Sequence, residues 1–222
     1  MHRTLFRIVA LMVLGLMATT ALQARGKKPP KNKTQPSFAY YMLVLSYAPD
    51  FCAQPAGDKD PRECGDGRQI GFVVHGLWPQ GETTRGPENC GSPSPIPDGT
   101  VQEMLHYFPT EALIRHEWKA HGSCSGLSVD DYFAAVKKAR DSVKIPDELT
   151  PSAQQSMRPA DVEGKVATAN PGFPRTAFRS SCYPDKELQE IRVCLNKDLS
   201  PRACGSSAGQ CSAKEVTLLP VH

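Results

Sequence analysis

The sequence predicts an α+β fold: a single domain in which helices pack on an antiparallel sheet, with disulfides holding it. Three observations carry this expectation. Apolar, β-branched segments cluster toward the two ends of the chain and helical patterns occupy its middle, a segregation typical of α+β architecture. The 222 residues suffice for one domain with a sizeable core and give little reason for two. Eight cysteines, an even number, all follow what reads as an export leader.

The elements follow in order. Residues 1–24 read as a signal peptide: His2, Arg3 and Arg7 make a basic start, and Ile8 to Met17 an apolar stretch too short to span a bilayer. Small residues at Thr19, Ala21 and Ala24 then suit cleavage after Ala21 or Ala24; the competing reading, a retained anchor, is opposed by the shortness of the apolar stretch. Residues 25–36 carry five cations, three prolines and no acid, and are expected to be a disordered tail before a folded domain over 37–222. Ala39 to Ser46 suits a strand, and so does Gln69 to His75, with His75 at its end before a turn at Gly76. The Gly/Pro/Ser-rich run from Gly81 to Gly99 reads as a long loop. Leu113 to His121 reads as a helix. Ser128 then caps another, with Asp131 as its capping-box partner. Tyr132, Phe133, Val136, Ala139 and Val143 recur in it at core spacing, and Pro146 stops the run. A helix over Ala160 to Ala169 and strands at Ala177–Cys182, Leu188–Leu195 and Glu215–Leu219 complete the chain. No internal repeat is found.

Charge excludes one class of function. The formal net charge of +3 includes the two arginines of the leader and the five cations of the tail; without them 19 basic residues face 23 acidic ones, a net of −4. The domain is therefore not a broad basic nucleic-acid platform. Any RNA binding must rely on a local site with few phosphate contacts and modest salt sensitivity. The tail reads either as a solvated leader or as an arm that helps hold RNA or a membrane surface.

Two short segments concentrate the chemistry. Phe72 to Gln80 contains His75, Gly76 and Trp78; His116 to Cys124 contains His116, Glu117, Trp118 and His121. Histidine titrates nearest neutrality, so two histidines from separate segments, one neutral and one charged, can take a proton from one oxygen and give one to another. On a helical wheel His116, Glu117 and His121 share one side, Ala120 falls inside that arc, and Lys119 falls nearly opposite its centre. A surface face or a satisfied core histidine explains any one of these residues better than all three together. The spacing from His116 to His121 is one residue longer than in the zincin motif, so the pair does not stack one helical turn apart, which argues against zinc. Trp78 has two readings: an aromatic face for a base, or a core tryptophan.

With these residues the sequence resembles the ribonuclease T2 family. His75 to Pro79 is similar to the family's first active-site segment, and His116 to Trp118 with His121, Gly122 and Cys124 to its second. The likeness extends over nearly the whole chain after the leader: Tyr40 to Cys52 resembles the first strand, Tyr107 to Pro109 the aromatic–proline step, and Ile191 to Leu195 a late strand. The resemblance implies an exported, transferase-type endoribonuclease that cleaves single-stranded RNA with broad base tolerance. It implies His121 as general base, His75 as general acid, His116 as a phosphate ligand and Glu117 as an orienting, transition-state-stabilising group. Trp78, Gln80 and Lys119 are the substrate-binding candidates. No metal or cofactor is implied, because the nucleophile is the ribose 2′-hydroxyl of the substrate. The family commonly has lysine just before the second histidine of this helix; Ala120 stands there, and Lys119, one place earlier, is read as facing solvent. The implied disulfides are Cys52–Cys64, Cys90–Cys124, Cys182–Cys211 and Cys194–Cys204, the second tying the two catalytic segments together across a loop that contributes roughly 4 kcal/mol in the chain-entropy model. A monomer in the periplasm or outside the cell is expected, with RNA as substrate, no action on DNA and no stable membrane insertion after leader cleavage. The alternatives are a catalytically weak RNA-binding relative, suggested by Ala120, and a metal-dependent hydrolase.

Overall fold

A computed structural model describes residues 37–57, 61–65 and 67–221. The predicted leader over 1–24 and tail over 25–36 lie outside these residues. The chain runs β1 (Tyr40–Tyr47), α1 (Ala48–Cys52), α2 (Pro61–Cys64), β2 (Phe72–Gln80), α3 (Asp98–Met104), α4 (Glu111–Glu117), a π-helical turn (Trp118–Gly122), α5 (Ser123–Ser125), α6 (Val129–Asp141), β3 (Gln155–Met157), α7 (Pro159–Ala169), β4 (Phe178–Cys182), β5 (Leu188–Leu195) and β6 (Val216–Leu218). The main sheet has the order β2-β1-β5-β4, every neighbour antiparallel. β3 and β6 make a separate two-stranded ladder. The architecture is α+β, with helices on an antiparallel sheet and four disulfides, as the segregation of patterns predicts.

The core lies on the helical face of the sheet. Leu43, Leu45, Val74, Leu77, Ile191 and Val193 alternate inward from the strands and meet Ile114, Tyr132, Phe133, Val136 and Val166 from the helices. The inward stripe of α6 is the predicted one, and Val143, just beyond the helix, joins the same core. Its start is capped as the sequence indicates: Ser128 Oγ accepts from the Asp131 amide at 3.2 Å and donates to the Asp131 carboxylate at 2.7 Å. The helix nevertheless ends at Asp141, well before Pro146. Tyr40, Met42, Val44, Cys194 and Ala208 form a smaller apolar group on the opposite face.

Two expectations change in ways that matter for the site. β2 does not stop at His75 but continues to Gln80, so Gly76 is no turn. Instead the register slips there: Val44 faces Gly76 and Leu45 faces Val74, which leaves His75 as the extra residue of a β-bulge. A bulge re-aims a side chain that plain alternation would place elsewhere. The helix predicted over Leu113 to His121 divides into α4 and the π-turn, an irregularity that places its residues differently from a continuous 100° wheel. The predicted loop from Gly81 to Gly99 is irregular up to α3, whose first turn already contains Gly99.

Candidate active site

Edge strand β2 packs against the π-turn, which brings the two sequence motifs together. Trp78 joins them. Its Nε1–H donates to Glu117 Oε2 at 2.7 Å, its ring stacks on His121 (centroids 4.9 Å apart, planes at 26°), and the edge contact with His75 spans 5.1 Å. Glu117 is fully buried between the two histidines, with Oε1 3.7 Å from His75 Nε2 and Oε2 4.0 Å from His121 Nε2. Glu117 Oε1 makes no hydrogen bond among the described residues, an unpaired buried acceptor of the kind that marks a functional group. Gly76 leaves the room for this arrangement, since a Cβ there would lie 1.9 Å from Glu117 Oε2.

The two histidines have opposite electrostatics. Burial lowers the His121 pKa to about 4, and the charges of His116 and His75 push it the same way. Burial also pulls His75 downward, but its hydrogen bond to Glu190 and the charges of Glu117 and Glu190 outweigh that, so its pKa is raised. Burial raises Glu117 to about 7 against the opposing influence of His75 and Trp78. The two shifts separate the imidazoles, one biased toward its neutral form and the other toward its charged form, the division of labour that acid–base catalysis needs.

The remaining sequence candidates separate. His116 is exposed on α4 rather than sharing the buried cleft with Glu117 and His121, although its charge reaches His121. Gln80 is buried, and its Oε1 accepts from the Gly86 amide at 3.2 Å, which braces the loop after β2. One face of Trp78 is occupied by His121, so that face is unavailable to a base. Lys119 is exposed and Ala120 is only 4 % exposed, with its carbonyl accepting from the Asn89 amide at 2.7 Å. Lys119→Ala should therefore change turnover by less than about threefold, well under one tenfold step of barrier; steady-state kinetics that show a larger loss would place this lysine on the substrate.

The loop after β2 is fastened over the π-turn. Cys90 is disulfide-bonded to Cys124, the Cys90 amide donates to Ser123 Oγ at 3.0 Å, and Trp118 Nε1–H donates to Ser94 O at 2.7 Å. The other bridges are Cys52–Cys64, Cys182–Cys211 and Cys194–Cys204. Among the described residues no three His, Cys, Asp or Glu side chains are grouped to hold a metal ion.

Sequence reading missed the residues behind His75. His75 Nδ1–H donates to Glu190 Oε1 at 3.1 Å, and Ser46 Oγ lies 3.3 Å from the same nitrogen. A signal for Glu190 was present: Glu190 and Arg192, two apart on one strand, must face the same side. Beside this group a cavity of about 270 Å³ opens, lined by Phe51, Pro109, Leu113, Tyr183 and Gln189 as well as His75. A larger cavity of about 380 Å³ lies against the Cys52–Cys64 bridge and contains neither histidine.

Residues 38–204 match the Ribonuclease T2 family. The chain is 33 % identical over 207 residues to a ribonuclease of Aeromonas hydrophila, covering 90 % of this chain and 86 % of that protein. It is 32 % identical over 179 residues to a probable ribonuclease of Haemophilus influenzae, covering 75 % of this chain and 61 % of the relative. The fold resembles that of an RNase-related protein from Calystegia sepium with a TM-score of 0.67 at 18 % identity, over 84 % of this chain and 99 % of the other.

Proposed function

Because the chain belongs to the Ribonuclease T2 family and is thereby an endoribonuclease, we propose that it cleaves single-stranded RNA by transphosphorylation, with broad base tolerance and without metal or cofactor. The observation that carries this reading is the pair of histidines on either side of Glu117, one held neutral and one held charged. His121 Nε2 takes the proton of the ribose 2′-hydroxyl. The 2′-oxygen forms a bond to the adjacent phosphorus while the P–O5′ bond breaks, and His75 Nε2 protonates the departing 5′-oxygen. The products are a 2′,3′-cyclic phosphate and a 5′-hydroxyl. In hydrolysis of the cyclic ester water replaces the alcohol and the two histidines exchange roles, leaving a 3′-phosphate.

Glu117, with its free Oε1, orients the reacting phosphate and stabilises it when protonated; His116 reaches a phosphate oxygen from the rim. Trp78 holds Glu117 and His121 in register. The cavity beside His75 receives the base of the leaving nucleoside, and its largely apolar lining supports tolerance among bases. Ala120 stands where the resemblance implies a lysine; a missing cation at this point costs on the order of 10²-fold in rate, by analogy with the loss of an oxyanion donor, so a slower enzyme is expected than relatives that keep it.

Four disulfides and the leader-like residues 1–24 support export to an oxidising compartment, periplasmic or extracellular, where the expected form is a monomer without membrane insertion. Purified oxidised protein incubated with homopolymer RNAs, with and without EDTA, should give cyclic phosphate ends first and 3′-phosphates later. DNA and fully 2′-O-methylated RNA should remain intact. Products with 5′-phosphate ends, cleavage of DNA, or inhibition by EDTA would overturn the mechanism.

A further inference from the structure

We propose that Glu190, held by Arg192 and Ser181, is the positioning residue of His75: it fixes the ring with its Nδ1–H inward and its Nε2–H aimed at the leaving oxygen. The proposal rests on the reading of His75 as general acid. Three antiparallel strands place the group. Ser46 on β1 pairs with Val73 on β2 and with Glu190 on β5, and His75, bulged two residues beyond Val73, brings its ring against this row, with Nδ1 3.3 Å from Ser46 Oγ. Glu190 is 2 % exposed, and each carboxylate oxygen has a separate task. Oε1 accepts from His75 Nδ1 at 3.1 Å. Oε2 accepts from Arg192 Nε at 2.9 Å, from Arg192 Nη2 at 2.8 Å and from Ser181 Oγ at 3.2 Å. Arg192 is itself anchored, donating from Nη1 to Ala208 O at 2.7 Å.

The chemistry follows from this geometry. A bulged histidine at an edge strand, about one-third exposed at its side chain, has freedom to rotate unless its inner nitrogen is held. A general acid needs the proton on the outer nitrogen at the moment the P–O5′ bond breaks. Once that proton has gone to oxygen, the neutral ring must keep its remaining proton on Nδ1, so that Nε2 presents the lone pair that activates water in the hydrolytic step. An ionised carboxylate on Nδ1 enforces both conditions, and a buried carboxylate stays ionised only when other donors compensate its burial. Here the hydrogen bonds and charges of His75 and Arg192 outweigh burial and keep the Glu190 pKa lowered. The titratable groups facing His75 are Glu190 on β5, Glu117 on α4, Glu63 on α2 and His121 on the π-turn, and among them Glu190 takes the Nδ1 hydrogen bond. His121 differs: its Nδ1 is buried and makes no hydrogen bond among the described residues. The acid is braced and the base is not.

Leaving-group dependence tests this. RNA departs as a poor 5′-alkoxide and needs the proton; uridine 3′-(4-nitrophenyl phosphate) departs as a phenolate and hardly needs it. Glu190→Gln should lower kcat on RNA by roughly 10- to 100-fold and kcat on the aryl ester by less than about threefold, as expected when general-acid catalysis is impaired. The alkaline limb of the RNA pH profile should move to lower pH. Equal losses on both substrates, or full activity with an unmoved alkaline limb, would overturn the proposal. Nitrogen-15 NMR of the unaltered protein supplies a measurement independent of how the variant folds: neutral His75 should be the Nδ1–H tautomer, and an Nε2–H tautomer would overturn the proposal. Failure of the unaltered protein to release cyclic phosphate from RNA would instead strike at the reaction itself, a separate outcome.

Discussion

His121→Ala and His75→Ala should each lower kcat/KM on RNA by roughly 10²- to 10⁴-fold, the range contributed by one positioned acid or base. Both variants should remain folded, because neither side chain supplies apolar core volume. The pH profile of the unaltered enzyme should be bell-shaped. The base must be neutral, so activity appears as pH rises through the His121 pKa, about 4. The acid must be charged, so activity is lost as pH rises through the His75 pKa, which lies above that of a free imidazole. The bell belongs to the coupled pair, with Glu117, raised to about 7, titrating within it. His121→Ala should abolish the acid limb and His75→Ala the alkaline limb. Circular dichroism with initial-rate kinetics across pH makes the check, and near-normal turnover in either folded variant would end the assignment.

Gly76→Ala should be nearly as damaging, although it adds one methyl group. The new Cβ would lie 1.9 Å from Glu117 Oε2 and 2.4 Å from Trp78 Nε1. Neither neighbour can yield cheaply. Glu117 is fully buried and hydrogen-bonded to Trp78, and Trp78 is stacked on His121. Overpacking of this kind costs about 1–3 kcal/mol of stability. Displacing Glu117 and Trp78 by about an ångström should also lower kcat by about 10²-fold, because reacting groups tolerate little misplacement. Denaturant melts and single-turnover rates would measure the two effects separately. A variant with unaltered stability and rate would show that the close contact is not maintained in solution.

What was legible in the sequence was local. His75, Glu117 and His121 could be singled out because their types suit proton transfer and each motif is nearly contiguous. The orientation of Lys119 was legible as well: it lies opposite Glu117 and His121 on the wheel, and the π-turn leaves it exposed. The wheel does not give depth: His116 is exposed at the end of α4 while Glu117 and His121 are buried, and α4 gives way to the π-turn immediately after Glu117. The hydrogen bond from the Gly86 amide to Gln80 was not legible, because a glutamine next to such a motif looks the same whether it faces substrate or braces a loop.

The sequence by itself determined the α+β class, the core stripe of α6, its Ser128 cap and the two histidine-bearing segments that the fold brings together. These depend on periodicity and on groups a few residues apart, which the chain holds together whatever its partners are. The tertiary structure alone decided that β2 bulges at His75, that Gly76 makes room for Glu117, and that Glu190 stands behind His75. Each of these depends on which strand lies beside which and in what register. Strand alternation has a period of two and names no partner, so a strand 115 residues away in sequence can supply the hydrogen bond to His75 without leaving a local trace beside it.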